Sequence, residues 1–156
     1  MTMTTPAVSQ PPSTPGCPQD PGRVAGKIDR YQRRLSCDSE DVLLNCVAQL
    51  LAMARVPLER EASLGPAGRA SVVACGSIVV DVMVGGSAED AAGRLRRYAS
   101  SPGVTAIILV TPLARHRAVP SEVSGKPVFV VWLRSPGPCI GPPAGHRELV
   151  PAKSRR

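Results

Sequence analysis

Between about Lys27 and Leu133 the apolar positions change period several times, and each change marks an element. In "CDSEDVLLNCVAQLLAMARVP" the residues Val42, Leu43, Cys46, Val47, Leu50, Leu51 and Ala54 recur at helical spacing and form one broad apolar stripe. Ser39 is placed to cap this helix, Glu40 and Asp41 suit its positive end, and Pro57 stops it. "PLERE" at 57–61 reads as a short edge strand and "GPAG" at 65–68 as a turn. "RASVVA" and "SIVVDVMV" alternate as strands, with Cys75-Gly76 between them as a two-residue hairpin turn. Ser87 opens a second helix, "AEDAAGRLRRYA". "VTAIILV" at 104–110 and "PVFVVWL" at 127–133 read as strands, separated by the basic loop "LARHRAVPSEVSGK".

The order is helix, three strands, helix, two strands. A right-handed crossover through the second helix makes strands 77–84 and 104–110 parallel. The expected fold is therefore α/β: a mixed sheet flanked by helices, with an αβββαβ core and a further strand. The turn at 75–76 sets a register in which Ala74 faces Ser77, Val72 faces Val79 and Ala70 faces Asp81. Alternation puts Val79, Asp81 and Met83 on one face and Ile78, Val80, Val82 and Val84 on the other. Facing residues of a hairpin lie about 5 Å apart at Cβ, so acids at positions 70 and 81 would meet over one spot.

Composition divides the chain in three. Residues 1–26 are rich in Pro, Thr, Ser and Gly and read as a disordered arm. Residues 27–134 form the α/β domain, and 135–156 a Pro/Gly-rich basic tail. The 156 residues carry a formal charge of +7, which favours an anionic partner, nucleic acid foremost. Five cysteines at 17, 37, 46, 75 and 139 show no CxxC pair; the odd count supports neither a disulfide framework nor a zinc site. Cys46 reads as a small buried side chain and a reducing compartment as the simplest setting. No signal peptide and no membrane span is visible, so the expected location is the cytoplasm, either a bacterial host cytosol or a virion.

The stretch from about Glu40 to Leu133 resembles the PD-(D/E)XK nucleases, in particular small phage- or prophage-type, RecB-like members. The segment "GRASVVACGSIVVDVMVGGSAEDAAGRLRRYASSPGVTAIILVT" carries the resemblance. It implies a site in which an Asp on one strand and Glu-x-Lys on the next hold Mg²⁺ and water, with a Gln-xxx-Tyr on the following helix. At those positions this chain has Ala70, Asp81, Met83, Arg94 and Tyr98. Only the second acid and the tyrosine survive in kind, so the resemblance implies a degenerate catalytic motif. One carboxylate is a poor Mg²⁺ site. Glu40 or Glu61 could lend a second if activity survives. Arg94, four residues before Tyr98 on one helix, could instead pair with Asp81 and take over the charge balance of the metal.

Weaker signals complete the picture. "VGGSAED" lacks the pattern of a phosphate loop, and Glu89 and Asp90 would repel phosphate there. His116 and His146 lie apart, without a hydrolase triad. "ARHR" at 114–117 is open between a phosphate contact and a solvated loop, and Trp132 reads as core. The expected function is a binding module without cofactor. It would hold nucleic acid through Arg94, Arg97, Arg115, His116 and Arg117, or hold a protein partner. The alternatives are an active Mg²⁺-dependent DNA endonuclease with a relocated site, and a structural component of a larger, virion-like assembly.

Overall fold

The structure, a computed structural model, describes residues 20–134. The expectations for the N-terminal arm up to residue 19 and for the tail at 135–156, with Cys17, Cys139 and His146, lie outside the described residues.

The fold is α/β, as expected. Six strands form a mixed sheet in the order β1-β2-β3-β4-β6-β5. They are β1 (Leu58–Ser63), β2 (Arg69–Ala74), β3 (Ile78–Val82), β4 (Ala106–Thr111), β5 (Glu122–Val123) and β6 (Lys126–Trp132). The β1–β2 and β2–β3 pairs are antiparallel, β3–β4 and β4–β6 are parallel, and β5–β6 is a short antiparallel hairpin. Helices α1 (Pro21–Arg30) and α2 (Glu40–Met53) cover one face, and α3 (Ala88–Ala99) covers the other. The αβββαβ order of the sequence reading runs from α2 to β4.

Alternation along β3 explains the two layers. Ile78, Val80 and Val82 pack with Leu43, Val47 and Leu51 of α2 and with Val24 and Ile28 of α1. Val79 and Met83 pack with Leu95 and Tyr98 of α3. Both faces are therefore core, and the almost purely aliphatic strands β3 and β4 are buried throughout.

The folded part begins earlier than Lys27. Asp20 caps α1, its carboxylate accepting from the Gly22 N–H at 2.9 Å, and Pro21 takes the first helical position, where its missing N–H costs nothing. Val24, Ala25 and Ile28 then bury one face of the helix. Residues 20–26 thus belong to the domain, because the four-residue spacing of Val24 and Ile28 outweighs a Pro/Gly-rich composition.

The cysteine expectation also changes. Cys46 and Cys75 are both disulfide-bonded, and Cys37 is free. An odd count leaves one thiol over but does not forbid the others from pairing, so the argument for a reducing compartment loses its support. Among the described residues no helix is long and apolar enough to cross a membrane.

The packing of α1 is directly testable. Ile28→Ala is expected to lower the unfolding free energy by about 2–5 kcal/mol, the usual range for emptying a fully buried aliphatic site. Urea denaturation measures this, and a loss near zero would show that α1 is not part of the core.

Candidate functional site

The site begins with an interrupted ladder. The Cys75-Gly76 turn forms as the sequence predicts: both residues have positive φ, 54° and 76°, and the Ser77 N–H donates to the Ala74 carbonyl. The register then departs by one residue. Ser77 does not pair across the hairpin; its carbonyl accepts from the Thr105 N–H at 2.9 Å, and its hydroxyl meets the Thr105 hydroxyl, also at 2.9 Å. Ser77 thereby becomes a third residue of the connection before β3, and the partners become Ala74↔Ile78, Val73↔Val79 and Val72↔Val80. Ala70 is not opposite Asp81. Pairing between β2 and β3 ends at Val72↔Val80, whereas β3 stays paired with β4 as far as Val82↔Val110.

The last residues of β3 are therefore open on the β2 side, and side chains complete them. The Val82 N–H donates to Asp81 Oδ1 at 3.0 Å. The Val82 carbonyl accepts from Arg94 Nη1 at 3.2 Å. An unpaired buried peptide group costs about as much as a lost hydrogen bond, so these two side chains do locally what a strand would have done.

Arg94 also joins two carboxylates. Its Nη1 lies 3.2 Å from Asp81 Oδ2 and 2.9 Å from Glu40 Oε1. Glu40 stands at the start of α2 because Ser39 caps that helix, accepting from the Val42 N–H at 3.1 Å. Asp81 is 2% exposed, while Arg94 and Glu40 keep part of their surface in water. The pairing of Arg94 with Asp81 matches the sequence reading, and Glu40, considered there as a second metal ligand, is spent on the same guanidinium. Glu61 is not brought in. It sits exposed on β1 with φ 52°, the β1–β2 pairing skips it, and among the described residues no contact joins it to Asp81 or Arg94.

Burial pushes the Asp81 carboxyl above its ordinary value. The Arg94 charge and hydrogen bond, the Val82 N–H and the Tyr98 hydroxyl pull it down without cancelling that push. Burial works against the Arg94 cation, but the attraction of Asp81 and Glu40 outweighs it and holds the guanidinium firmly charged. Burial, together with the charge of Asp81, pushes the Tyr98 phenol up to about 12, so it remains a hydrogen-bond donor.

The remaining motif positions are packing residues. Ala70 is fully buried and Met83 nearly so, both in the apolar cluster under α3 with Leu95 and Tyr98. The Mg²⁺ site implied by the resemblance does not fit this arrangement. Mg²⁺ asks for about six oxygen ligands in octahedral order. Here a guanidinium holds the position between the two carboxylates, and Met83 replaces the cationic lysine. Among the described residues no group of three His, Cys, Asp or Glu side chains is placed to hold a metal ion.

The basic loop is more structural than its sequence suggests. His116 is fully buried. Its Nε2 donates to the Gly86 carbonyl at 3.1 Å, and its Nδ1 meets the Thr111 hydroxyl at 2.8 Å. A carbonyl can only accept, which fixes the proton on Nε2. His116 therefore ties the loop to the corner before α3 and is not available to a phosphate. Arg115 Nε donates to the same carbonyl at 2.7 Å. Arg117 lies over the half-buried Trp132 ring, 4.6 Å from its centroid, and Arg97 over Tyr98 at 5.2 Å. The residues expected to hold nucleic acid lie on α3 and on the 3-10 turn Ala114–Ala118, with Arg94 and His116 already engaged. Sequence reasoning passed over a denser cationic group, Arg30, Arg33, Arg34 and Arg134 around Tyr31. The local signal for it, "DRYQRR" at 29–34, lies just past residue 26.

No known protein-family model, curated protein or solved structure matches the chain. The likeness to the nucleases accordingly rests on the motif positions and the order of elements alone.

Arg94→Ala would strand a buried carboxylate. We expect a loss near neutral pH of about 2–3 kcal/mol, somewhat below the ~3–5 kcal/mol for a fully buried pair because Arg94 is partly in water. A raised carboxyl in the folded state means that folding favours the protonated acid. Its contribution is greatest in acid and is lost as pH rises from 3.8 through the raised value. Without Arg94 the Asp81 value climbs further, so the penalty should shrink on acidification. In Arg94→Ala/Asp81→Asn the part due to the stranded carboxylate should be absent, leaving the smaller, pH-independent cost of the unpaired Val82 carbonyl. Urea denaturation of both variants across pH checks this, and a pH-independent loss in Arg94→Ala would contradict it.

Proposed function

We propose that this protein is a non-catalytic nucleic-acid-binding module built on an αβββαβ core of the PD-(D/E)XK type. The observation that carries the reading is the position of Arg94 Nη1 between Glu40 and Asp81, at 2.9 and 3.2 Å. In a metal-dependent nuclease two carboxylates share a divalent cation that activates water and neutralises developing charge. A guanidinium satisfies the same carboxylates but stays protonated and cannot deliver hydroxide. The arrangement fixes the end of β3 and leaves the site no means of cutting.

Charge supports binding. The chain carries +7, and most of its arginines in the described residues form no ion pair. Lysine and arginine side chains on phosphate release counterions, which gives affinity without sequence preference.

The test pairs cleavage with binding. The purified protein is expected to leave DNA and RNA intact in Mg²⁺ and Mn²⁺ and to bind both, with affinity falling by orders of magnitude between about 50 and 200 mM salt. Asp81→Asn is expected to leave binding unchanged. Metal-dependent cutting that Asp81→Asn or Glu40→Gln abolishes would overturn the reading. So would an absence of binding at low salt.

A further inference from the structure

Beyond the carboxylate cluster, unpaired charge gathers among the described residues where the end of α1 meets the segment just past β6. The 3-10 turn Gln32–Arg34 follows α1 directly. Gln32 Oε1 accepts from the Arg134 N–H at 2.8 Å and joins this turn to the segment just past β6. A cleft of about 470 Å³ results, walled by Arg30, Arg33, Arg34 and Arg134. Asp29 is its one acid, and that carboxylate accepts from Gln32 Nε2 at 3.2 Å. Among the described residues no carboxylate lies within 4.0 Å of the four guanidinium groups. Four like charges beside a single carboxylate repel one another, and a polyanion relieves that repulsion.

A second cleft, of about 450 Å³, adjoins the first and shares Tyr31 and Arg34 with it. Its other walls are mainly apolar, including Leu50 and Met53, with Gln49 as a polar group. Met53 is 76% exposed and Tyr31 39%, the two exposed large apolar side chains of the described fold. Arg30 and Arg34 lie over the Tyr31 ring at 5.9 and 5.4 Å from its centroid, holding that ring at the boundary between the clefts.

We infer that the paired clefts bind single-stranded nucleic acid, the arginine-lined cleft taking phosphates and the apolar cleft beside Tyr31 taking an unstacked base. This rests on the nucleic-acid reading above and locates it. Charge complementarity selects the phosphodiester chain. The adjoining apolar slot selects a single strand, because a duplex keeps the faces of its bases stacked inside. The surface is made from residues of α1, the turn after it, α2 and the end of β6. None of these belongs to the Asp81–Arg94–Glu40 cluster.

The experiment compares binding of a short single-stranded DNA, the RNA of the same sequence and the corresponding DNA duplex across salt. The proteins are the wild type, Arg30→Gln/Arg33→Gln/Arg34→Gln, Tyr31→Ala, and a control with equal charge loss, Arg55→Gln/Arg69→Gln/Arg96→Gln. Thermal unfolding confirms that each variant is folded. The inference predicts that the cleft triple loses about tenfold or more on either single strand and that its salt slope falls by about 2–3. Tyr31→Ala should weaken single-strand binding at an unchanged slope, and the control should change little. Equal losses in the control and the cleft triple would overturn the location while leaving nucleic-acid binding standing. Tighter binding to the duplex, insensitive to Tyr31→Ala, would overturn the single-strand assignment. A wild type that binds none of the three probes would overturn both this inference and the function it refines.

Discussion

One guanidinium holds the end of β3 together. Once β2 stops pairing at Val72, the peptide of Val82 faces a gap, and its two polar groups are taken by Asp81 Oδ1 and Arg94 Nη1. That guanidinium also compensates the buried charge of Asp81 and, through Glu40, connects α3 on one face of the sheet with the start of α2 on the other. Backbone satisfaction, charge balance and the link between layers therefore depend on one side chain. A buried ion pair of this kind adds little net stability over an apolar substitute, yet losing one partner is costly.

The same interaction decides the chemistry. Two carboxylates converging on one point make a cation site, and the identity of the cation determines what the site can do. A divalent metal would supply an activated water; arginine supplies a fixed charge and directed donors. Burial raises Asp81 and pushes the Tyr98 phenol up to about 12, while Arg94 stays charged between Asp81 and Glu40. The cluster is thus a structural junction, while the unpaired arginines lie elsewhere on the molecule.

Much of the fold was legible because its signals are local. The α2 stripe, the Ser39 and Ser87 caps, the Cys75-Gly76 turn and the parallel crossover through α3 all rest on nearest-neighbour chemistry, and they appear as expected. The pairing of Arg94 with Asp81 followed from motif spacing plus the position of a helix. What failed was not local. The register shift goes with a distant contact, because the Ser77 carbonyl accepts from Thr105, 28 residues away, instead of from the facing strand. Composition hid α1, although Asp20-Pro21 followed by Val24 and Ile28 is a capped amphipathic start. The burial of His116 depends on Gly86 and Thr111, which no spacing in the loop reveals. The arginine cluster draws Arg134 from the far end of the domain to residues 30–34.

Arg94 in the cation position leaves no room for a metal, and titrating paramagnetic Mn²⁺ into the wild-type protein while following its backbone amide resonances by NMR measures this. Val82, Met83 and Arg94 should broaden no more than exposed amides near other surface carboxylates. Selective, saturable broadening centred on Val82 and Met83, reversed by added Mg²⁺, would show a working metal site between Glu40 and Asp81 and would contradict that placement of Arg94.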